Sequence, residues 1–180
     1  MITASVVTFH TSYVDLKRLL DCVLHSSIDI FFIIDNSSND SLREFASLSD
    51  KIVYIHSDNL GFGSGHNIAI RRSIELGAQY HAVINPDIYW EGDVAKPLAG
   101  FMDKQEDCGL VMPKVLYPNG NVQYLCKLLP TPMDLFGRRF IPFNAYQEKH
   151  DAWFELHHTG YDKVMEVPSL SGCFMFMRVE

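Results

Sequence analysis

Short apolar runs alternate with amphipathic stretches through the first half of the chain. The β-branched run "TASVVTF" (3–9) predicts a strand. The stretch after it predicts an amphipathic helix, because its apolar residues recur at helical spacing: Leu16, Leu19, Leu20, Val23 and Leu24. The next run, "IDIFFIID" (28–35), is continuously apolar, as in strands that are buried on both faces of a parallel sheet.

This unit of strand and helix repeats along the chain. A second helix is predicted over "NDSLREFASL" (39–48), with Asp40 or Ser41 as its N-cap, and a third strand over "KIVYIHS" (51–57). A third helix follows the glycine-rich "DNLGFGSGHN", and one of its faces is marked by Ile70, Ser73, Ile74 and Gly77. With a fourth strand in "HAVIN" (81–85), the pattern predicts a doubly wound α/β sheet with right-handed crossovers.

Beyond residue 90 the pattern is less regular. "DVAKPLAGFMDKQ" (93–105) predicts a helix despite Pro97. Strands are predicted over "GLVMPKVLY" (109–117) and "VQYLCKL" (122–128), on either side of the turn signal "PNGN". These elements predict a mixed-sheet extension of the parallel half.

The remainder of the chain predicts an excursion followed by one more strand. Residues 130–163 are rich in Pro, aromatic residues and His without periodicity, so a loop or short-helix excursion over one end of the sheet is expected. "VPSLSGCFMFMRVE" (167–180) returns to strand character as the chain ends, which predicts that the C-terminal part of the fold is truncated. With 180 residues and 47% hydrophobic content, a single globular domain spanning 1–180 is expected.

Charge, cysteines and hydropathy narrow the classes of function. Fifteen basic side chains against 22 acidic ones give a formal charge of −7, so no overall positive field exists to attract nucleic acid. The four cysteines form no C-x-x-C pair, which predicts reduced thiols in a cytoplasmic protein. No apolar stretch approaches the roughly 18 residues of a membrane span, which leaves peripheral contact with a membrane surface open.

Polar residues follow all four predicted strands of the first half. In an open parallel sheet, ligands bind beyond the carboxyl ends of the strands, where the strand order reverses. The residues at those ends are, in chain order, Thr8 and His10, then Asp35, Asn36 and Ser37, then Asp58, Asn59 and the glycines, and finally Asn85 and Asp87.

Two of these strand ends allow both a structural and a functional interpretation. Asp35 opens "DNSSND", which is typical of an Asx-turn, but its carboxylate is also placed to accept hydrogen bonds from a base or a ribose. In "LGFGSGHN" the glycines Gly61, Gly63 and Gly65 suit a flexible turn with positive φ. Alternatively, glycines that open a helix let backbone N–H groups approach an anion or a sugar.

The position of the glycines argues against two classes of nucleotide site. A dinucleotide fingerprint and the triphosphate loop of nucleotidyltransferases both follow the first strand, whereas the first glycine of this chain is Gly61. NAD binding and nucleotidyl transfer are therefore disfavoured.

The fourth strand ends at "NPD", where Asn85 and Asp87 flank Pro86. In an extended segment residues i and i+2 project to the same side, so an amide oxygen and a carboxylate would lie together. Such a pair is a partial ligand set for Mg²⁺ or Mn²⁺, which take their other ligands from water and from substrate phosphates. An ordinary turn at a strand end is the alternative.

Three further pairs carry weaker signals. His157 and His158 are adjacent and lack the i, i+4 spacing of helical metal ligands, which argues against a metal site. Arg138 and Arg139 in "LFGRRFIPF" would suit lipid headgroups or a diphosphate, or simply the basic end of a short helix. Ser171 and Gly172 are expected to open the final strand, where a tight turn is the structural alternative.

The ordered set "VVTFH", "IIDNSSND", "DNLGFGSGHNIAI" and "INPDI" resembles the family 2 glycosyltransferases with the GT-A fold, over roughly residues 3–180. The likeness is greatest to bacterial rhamnosyltransferase-like members that build surface polysaccharide. The sequence departs from the family at His10, where Asn is usual, and at Asn85, which replaces the first acid of the family's D-x-D.

The resemblance implies a role for each matching position. Thr8, His10, Asp35, Asn36 and Asn85 would lie on the nucleotide, with the Asp35 carboxylate on the base, while Asn59, Gly61, Gly63, Gly65 and Asn67 would lie along the nucleotide and the donor sugar. Asp87 would hold Mg²⁺ or Mn²⁺, and Ser171 and Gly172 would lie on the acceptor side. Residues 1–90 would then be the nucleotide-binding half and 91–180 an incomplete acceptor-side half, with the general base beyond Glu180.

The implied activity is inverting transfer of a sugar in polysaccharide biosynthesis. A UDP- or dTDP-sugar, rhamnose included, would be the donor, and a saccharide or lipid-linked saccharide the acceptor. Two alternatives stay open: a fragment that binds nucleotide sugar without turnover and, more distantly, a nucleotidyltransferase.

Overall fold

A computed structural model describes residues 1–131 and 144–179, the side chains of 144–147 excepted. The four strands predicted in the first half are present, each within about two residues of its predicted bounds. They are β1 (Ile2–Thr8), β2 (Ile30–Asp35), β3 (Ile52–His56) and β4 (Tyr80–Ile84). Within this set β1 pairs in parallel with β2 and with β4, and β2 pairs in parallel with β3.

Three helices accompany these strands, and one differs from its prediction. They are α1 (Tyr13–Leu24), a 3₁₀ helix (Ser41–Leu48) and α2 (Phe62–Glu75). The second was expected to be α-helical with Asp40 or Ser41 as the cap. The Asn39 side chain accepts the Ser41 N–H, while Asp40 pairs with Arg43 at 2.8 Å. Asp40 occupies the predicted N-cap position and its carbonyl accepts the Arg43 N–H at 2.9 Å, but its side chain makes no capping hydrogen bond, and the helix is a 3₁₀ helix.

The described residues form a six-stranded sheet in the order β3-β2-β1-β4-β6-β5, where β5 is Leu110–Val111 and β6 is Phe174–Arg178. β6 is antiparallel to both β4 and β5, so the sheet is mixed but mainly parallel. The strand order reverses between β1 and β4, and the carboxyl ends of these two strands mark the expected ligand side.

The second half contains less strand than predicted. β5 stops at Val111 instead of continuing to 117, since Pro113 has no N–H for a ladder. Residues 122–128 form no regular strand and contribute only isolated bridges, Leu116 to Val122 and Lys127 to Ser169. The predicted helix is present as α3 (Ala95–Met102), and Pro97 lies in its first turn, where a missing N–H costs little.

The core on one face of the sheet is apolar, whereas the other face is partly polar. The α1 residues Leu16, Leu19, Leu20 and Val23 are fully buried in a cluster that includes Val6, Ile33 and Phe174. On α2 the predicted face is only partly right, because Ser73 is buried, Ile70 is half-buried and Gly77 is exposed. Ile74 is exposed, and the buried residues are Gly65, His66, Ala69 and Ser73.

The chain forms two compact units. One comprises Met1–Pro113 together with the segment from Gly172 onward, and the other is Lys114–Ser171. The second unit contains α4 (Asn144–Phe154) and a 3₁₀ helix (His157–Thr159) within the predicted excursion. Arg138 and Arg139 lie outside the described residues. Among the described helices, none has the length and apolar character needed to cross a membrane.

Candidate functional site

Asp35 is the centre of a hydrogen-bonded cluster at the carboxyl ends of β1, β2 and β3. Its Oδ1 accepts from the Thr8 hydroxyl at 3.0 Å and from the Ser37 N–H at 3.1 Å, and its Oδ2 accepts from the Tyr54 hydroxyl at 2.7 Å. The carboxylate is 0% exposed. The Ser37 contact is the Asx-turn that "DNSSND" suggests.

Hydrogen bonding keeps this buried carboxylate ionised. Burial by itself would raise the pKa of Asp35, but the hydrogen bonds from Ser37, Tyr54 and Thr8 outweigh it, and the pKa is lowered. Burial, followed by the hydrogen bond to Asp35, raises the pKa of Tyr54. The negative charge of Asp35 is therefore buried at the carboxyl ends of the strands and stabilised by hydrogen bonds from uncharged donors.

Asn36 and His10 join this cluster through backbone and hydroxyl contacts. The Asn36 N–H donates to the Thr8 carbonyl at 2.8 Å, and its side-chain oxygen accepts from the Ser57 hydroxyl at 2.9 Å. His10 is exposed, with φ +50°, and its N–H donates to the Ser37 hydroxyl at 3.0 Å. The structure thus brings together the predicted residues from the ends of β1 and β2.

The glycine-rich segment forms the start of α2, and its three glycines differ in backbone conformation. Only Gly61 has positive φ (+91°), and the Asn59 side chain accepts its N–H at 3.1 Å. Gly63 and Gly65 lie within the helix, so the expected positive φ at these two positions was wrong.

Gly65 allows α2 to approach β1 closely. A Cβ at this position would lie 2.7 Å from a Val7 methyl carbon, whereas a Cβ at Gly63 would meet no described heavy atom within 4 Å apart from its chain neighbours and its own helix backbone. The first intrahelical bond runs from the Gly65 N–H to the Gly61 carbonyl, so the preceding amides of α2 stay available to an anion. Gly61, Gly63 and Asn67 are exposed.

Asn85 and Asp87 belong to a turn, not to an extended segment. β4 ends at Ile84, and the Ile88 N–H donates to the Asn85 carbonyl at 3.3 Å, with Pro86 at the second position of the turn. Same-side projection by strand alternation therefore does not apply to this pair. The Asn85 N–H donates to the Cys173 carbonyl at 2.9 Å, and Asp87 is exposed.

The donor chemistry of this turn suits a divalent cation that also binds a phosphate. Within the described residues Asp87 makes no hydrogen bond or ion pair, and no cluster of three or more His, Cys, Asp or Glu could hold an ion alone. Mg²⁺ and Mn²⁺ in phosphate complexes need one or two carboxylates, with water and phosphate as the other ligands. A single available carboxylate beside an amide fits that mode and does not fit a protein-only metal cage.

The structure also describes Ser171, Gly172 and His157. β6 begins at Phe174, so Ser171 and Gly172 precede the strand instead of opening it. The Gly172 Cβ position would lie 3.9 Å from the ring of Phe62 in α2. In the other unit, His157 stacks on Tyr124 with centroids 3.6 Å apart and lies 3.2 Å from Glu155.

Two buried histidines form a polar network between β1, β4 and α2 that the sequence did not predict. Ser5 Oγ shares hydrogen bonds of 2.8 Å with His66 Nδ1 and with His81 Nε2, and His81 Nδ1 lies 2.8 Å from the hydroxyls of Thr3 and Ser73. His66 Nε2 has no partner within the described residues. Burial lowers the pKa of His66 to about 4, and burial together with the charge of His66 lowers the pKa of His81 to about 3.

This network predicts a loss of stability in mild acid. An unfolded histidine binds a proton below about pH 6.5, whereas His66 and His81 stay neutral in the folded chain until well below that pH. The contribution of the two histidines to the free energy of unfolding is therefore fully present above about pH 6.5 and is lost as the pH drops toward 4. The loss is roughly 1.4 kcal/mol for each histidine between pH 7.5 and 5.5. Urea unfolding at the two pH values measures it, and His66→Met should remove about half of the dependence. His158→Met, an exposed control, should leave the dependence unchanged; a flat wild-type profile would contradict the buried neutral state.

Other residues of the cluster also escaped prediction. Ser57 and Tyr54 reach Asn36 and Asp35 from β3 and its end, across 21 and 19 residues of sequence. Alternation along β3 could have placed Tyr54, but no sequence signal paired it with Asp35.

A family model described as "Glycosyl transferase family 2" matches residues 5–170. The low-salt glycan biosynthesis hexosyltransferase Agl10 of Haloferax volcanii is 36% identical over 85 residues, which are 46% of this chain and 27% of Agl10. The chain thus spans about a quarter of the length of that relative.

Two solved structures share the fold. TarS 1-349 of S. aureus aligns with a TM-score of 0.55 and 15% identity, over 73% of this chain and 43% of that one. The mannosyltransferase PcManGT of Pyrobaculum calidifontis, solved with GDP-Man and Mn²⁺, aligns with a TM-score of 0.52 and 17% identity, over 66% and 36% of the two chains. At these identities the likeness concerns the fold alone.

Proposed function

The chain belongs to glycosyl transferase family 2, and we propose that it binds a nucleoside-diphosphate sugar and takes part in transferring the sugar to an acceptor. Its sheet is the GT-A-type, mainly parallel sheet that the resemblance implied. The observation that carries the proposal is the family match over residues 5–170, which includes every predicted strand end of the first half.

The polar residues at the carboxyl ends of the strands support binding of the nucleotide. We assign the base and ribose to the ends of β1 and β2, near Thr8, His10, Asp35 and Asn36. Because Asp35 is fully buried, direct contact of its carboxylate with a base requires one of the neighbouring side chains to move. The alternative is that Asp35 fixes the loops that touch the nucleotide.

The start of α2 supports binding of the diphosphate. The N–H groups that precede Gly65 have no intrahelical acceptor, and the helix dipole favours an anion at this end. Gly61 and Gly63 present no side chain that would keep a phosphate away. We place Asn59 and Asn67, at either end of this segment, along the donor.

Asp87 and the Asn85 amide are the residues that would hold Mg²⁺ or Mn²⁺. A bound divalent cation would neutralise charge on the leaving nucleoside diphosphate. Inversion requires a carboxylate to take the proton of the attacking acceptor hydroxyl. We assign none of these site residues to the role of general base. We place Ser171 and Gly172 on the acceptor side. Rhamnose, and a saccharide or lipid-linked acceptor, are the substrates that the resemblance suggests.

A ligand screen by thermal unfolding tests the proposal. UDP, dTDP and GDP are compared with and without Mn²⁺, and one of them should stabilise the chain selectively, because a ligand at 100 times its Kd adds about 2.7 kcal/mol. No shift with any of the three would overturn nucleotide-sugar binding, and release of pyrophosphate from a nucleoside triphosphate would favour a nucleotidyltransferase. Sugar transfer by a chain extended past Glu180, but not by these 180 residues, would favour the binding-fragment alternative.

A further inference from the structure

The loop after β4, residues 85–94, carries Asp87 and lies against α1. The guanidinium carbon of Arg18 is 3.8 Å from the ring centroid of Tyr89, well within cation–π range. One turn further along α1, the thiol of Cys22 donates to the Trp90 carbonyl at 3.1 Å and accepts from the Trp90 N–H at 3.3 Å. Both backbone groups of Trp90 are therefore bonded to a single side chain.

The helix that makes these contacts is firmly held. Its other face buries Leu16, Leu19, Leu20 and Val23 completely in the core. Arg18 and Cys22 are four residues apart and so lie on one side of α1, facing consecutive residues of the loop. The Trp90 ring also packs edge-on against Phe174 of β6, with centroids 5.8 Å apart. The loop thus contacts two elements of the same unit.

The two ends of the loop have separate attachments. At the start, the Asn85 N–H donates to the Cys173 carbonyl. At the end, the Asp93 carboxylate accepts the Ser27 N–H at 3.2 Å and the Ser27 hydroxyl, and it also accepts the N–H of Ala95 in α3 at 3.1 Å. Asp87 lies between these attachments and has no hydrogen-bond partner of its own within the described residues. The position of its carboxylate therefore follows from the backbone around it.

We propose that Arg18 and Cys22 are positioning residues that hold this loop so that Asp87 meets a divalent cation bound to the donor diphosphate; the inference rests on the proposed function. Without their contacts the loop would still be held near Asn85 and Asp93 and by packing of the Trp90 ring, but the Trp90 backbone would lose both of its hydrogen bonds to α1. The loop would then populate conformations in which Asp87 points elsewhere. The apparent affinity for metal and nucleotide is reduced in proportion to the fraction of chains whose loop is in the binding-competent conformation. The contacts with α1 keep that fraction high in the free chain, and so preserve the affinity.

The test compares four variants of the 180-residue chain. Calorimetry measures the affinity for the diphosphate that stabilises wild type, with and without Mn²⁺, and hydrogen exchange measures the loop amides. Arg18→Met and Cys22→Ala should each speed exchange over residues 87–92 and weaken Mn²⁺-dependent binding about tenfold, with little change when metal is absent. Cys22→Ser can still donate and accept, so it should recover most of the affinity. Lys17→Met removes a neighbouring exposed cation of α1 and should match wild type.

Several outcomes would overturn the inference. Wild-type exchange and affinity in Arg18→Met and Cys22→Ala would show that α1 does not hold the loop. Equal losses with and without Mn²⁺ would show that the contacts serve the nucleotide site in general and not Asp87. If wild type binds no diphosphate, the proposed function fails, while hydrogen exchange still decides whether Arg18 and Cys22 fix the loop.

Discussion

Replacement of Asp35 by alanine is expected to lower the free energy of unfolding by roughly 2–4 kcal/mol, because the buried donors of Thr8 and Ser37 and the half-buried Tyr54 hydroxyl lose their acceptor together. The same variant should weaken binding of a nucleoside diphosphate to a similar extent with and without Mn²⁺. Urea denaturation and calorimetry at a temperature where both chains are folded measure the two effects.

A conservative variant separates the two roles of Asp35. Asp35→Asn retains an oxygen that can accept from Ser37 and Thr8, so part of the stability should return, while the lost charge still affects the ligand. Asp50→Ala removes an exposed carboxylate ahead of β3 and should change neither quantity. A loss of nucleotide affinity seen only when Mn²⁺ is present would contradict a role for Asp35 at the base.

Replacement of Asp87 by alanine is expected to abolish the part of nucleotide affinity that depends on Mn²⁺, while the free energy of unfolding stays within about 0.5 kcal/mol of wild type. The reason is that this carboxylate is exposed and makes no hydrogen bond or ion pair within the described residues. Titration of the nucleotide at several Mn²⁺ concentrations, together with thermal unfolding, gives both quantities.

Glu91 offers a matched control for Asp87, because it is an exposed carboxylate in the same loop. Glu91→Ala should bind nucleotide and Mn²⁺ as wild type does. Unchanged affinity in Asp87→Ala with Mn²⁺ present would remove Asp87 from the metal site. An equal loss in the two variants would instead point to the general negative potential of the loop.

The secondary structure of the first half of the chain was the most predictable from the sequence. β1 to β4 and α1 were predictable because their apolar spacing matches a single secondary-structure period. β5 and the segment 122–128 were over-predicted, since short apolar runs without a sheet partner carry the same pattern as real strands. The helix at Ser41–Leu48 follows the predicted cap Asp40 but is a 3₁₀ helix, and the Asp40 side chain makes no capping hydrogen bond.

The α2 face illustrates a different cause of failure. Ser73 of the predicted face is buried, but Ile74 and Gly77 are exposed. The rest of the buried face consists of Gly65, His66 and Ala69. Histidine and serine can be buried here because Ser5, Thr3 and His81 on the sheet satisfy most of their polar atoms. Hydrophobicity alone cannot predict such a face, since the partners lie in other elements.

The sequence by itself determined the succession of strands and helices along the chain and the presence of polar groups at the strand ends. Both depend on the spacing between near neighbours in the sequence. The sequence also placed Asp87 directly after a buried strand. Tertiary structure alone decided that Tyr54 closes on Asp35 across 19 residues and that Cys22 bonds to Trp90 across 68. Such contacts depend on how strands and helices pack in three dimensions, and local periodicity carries no information about that packing.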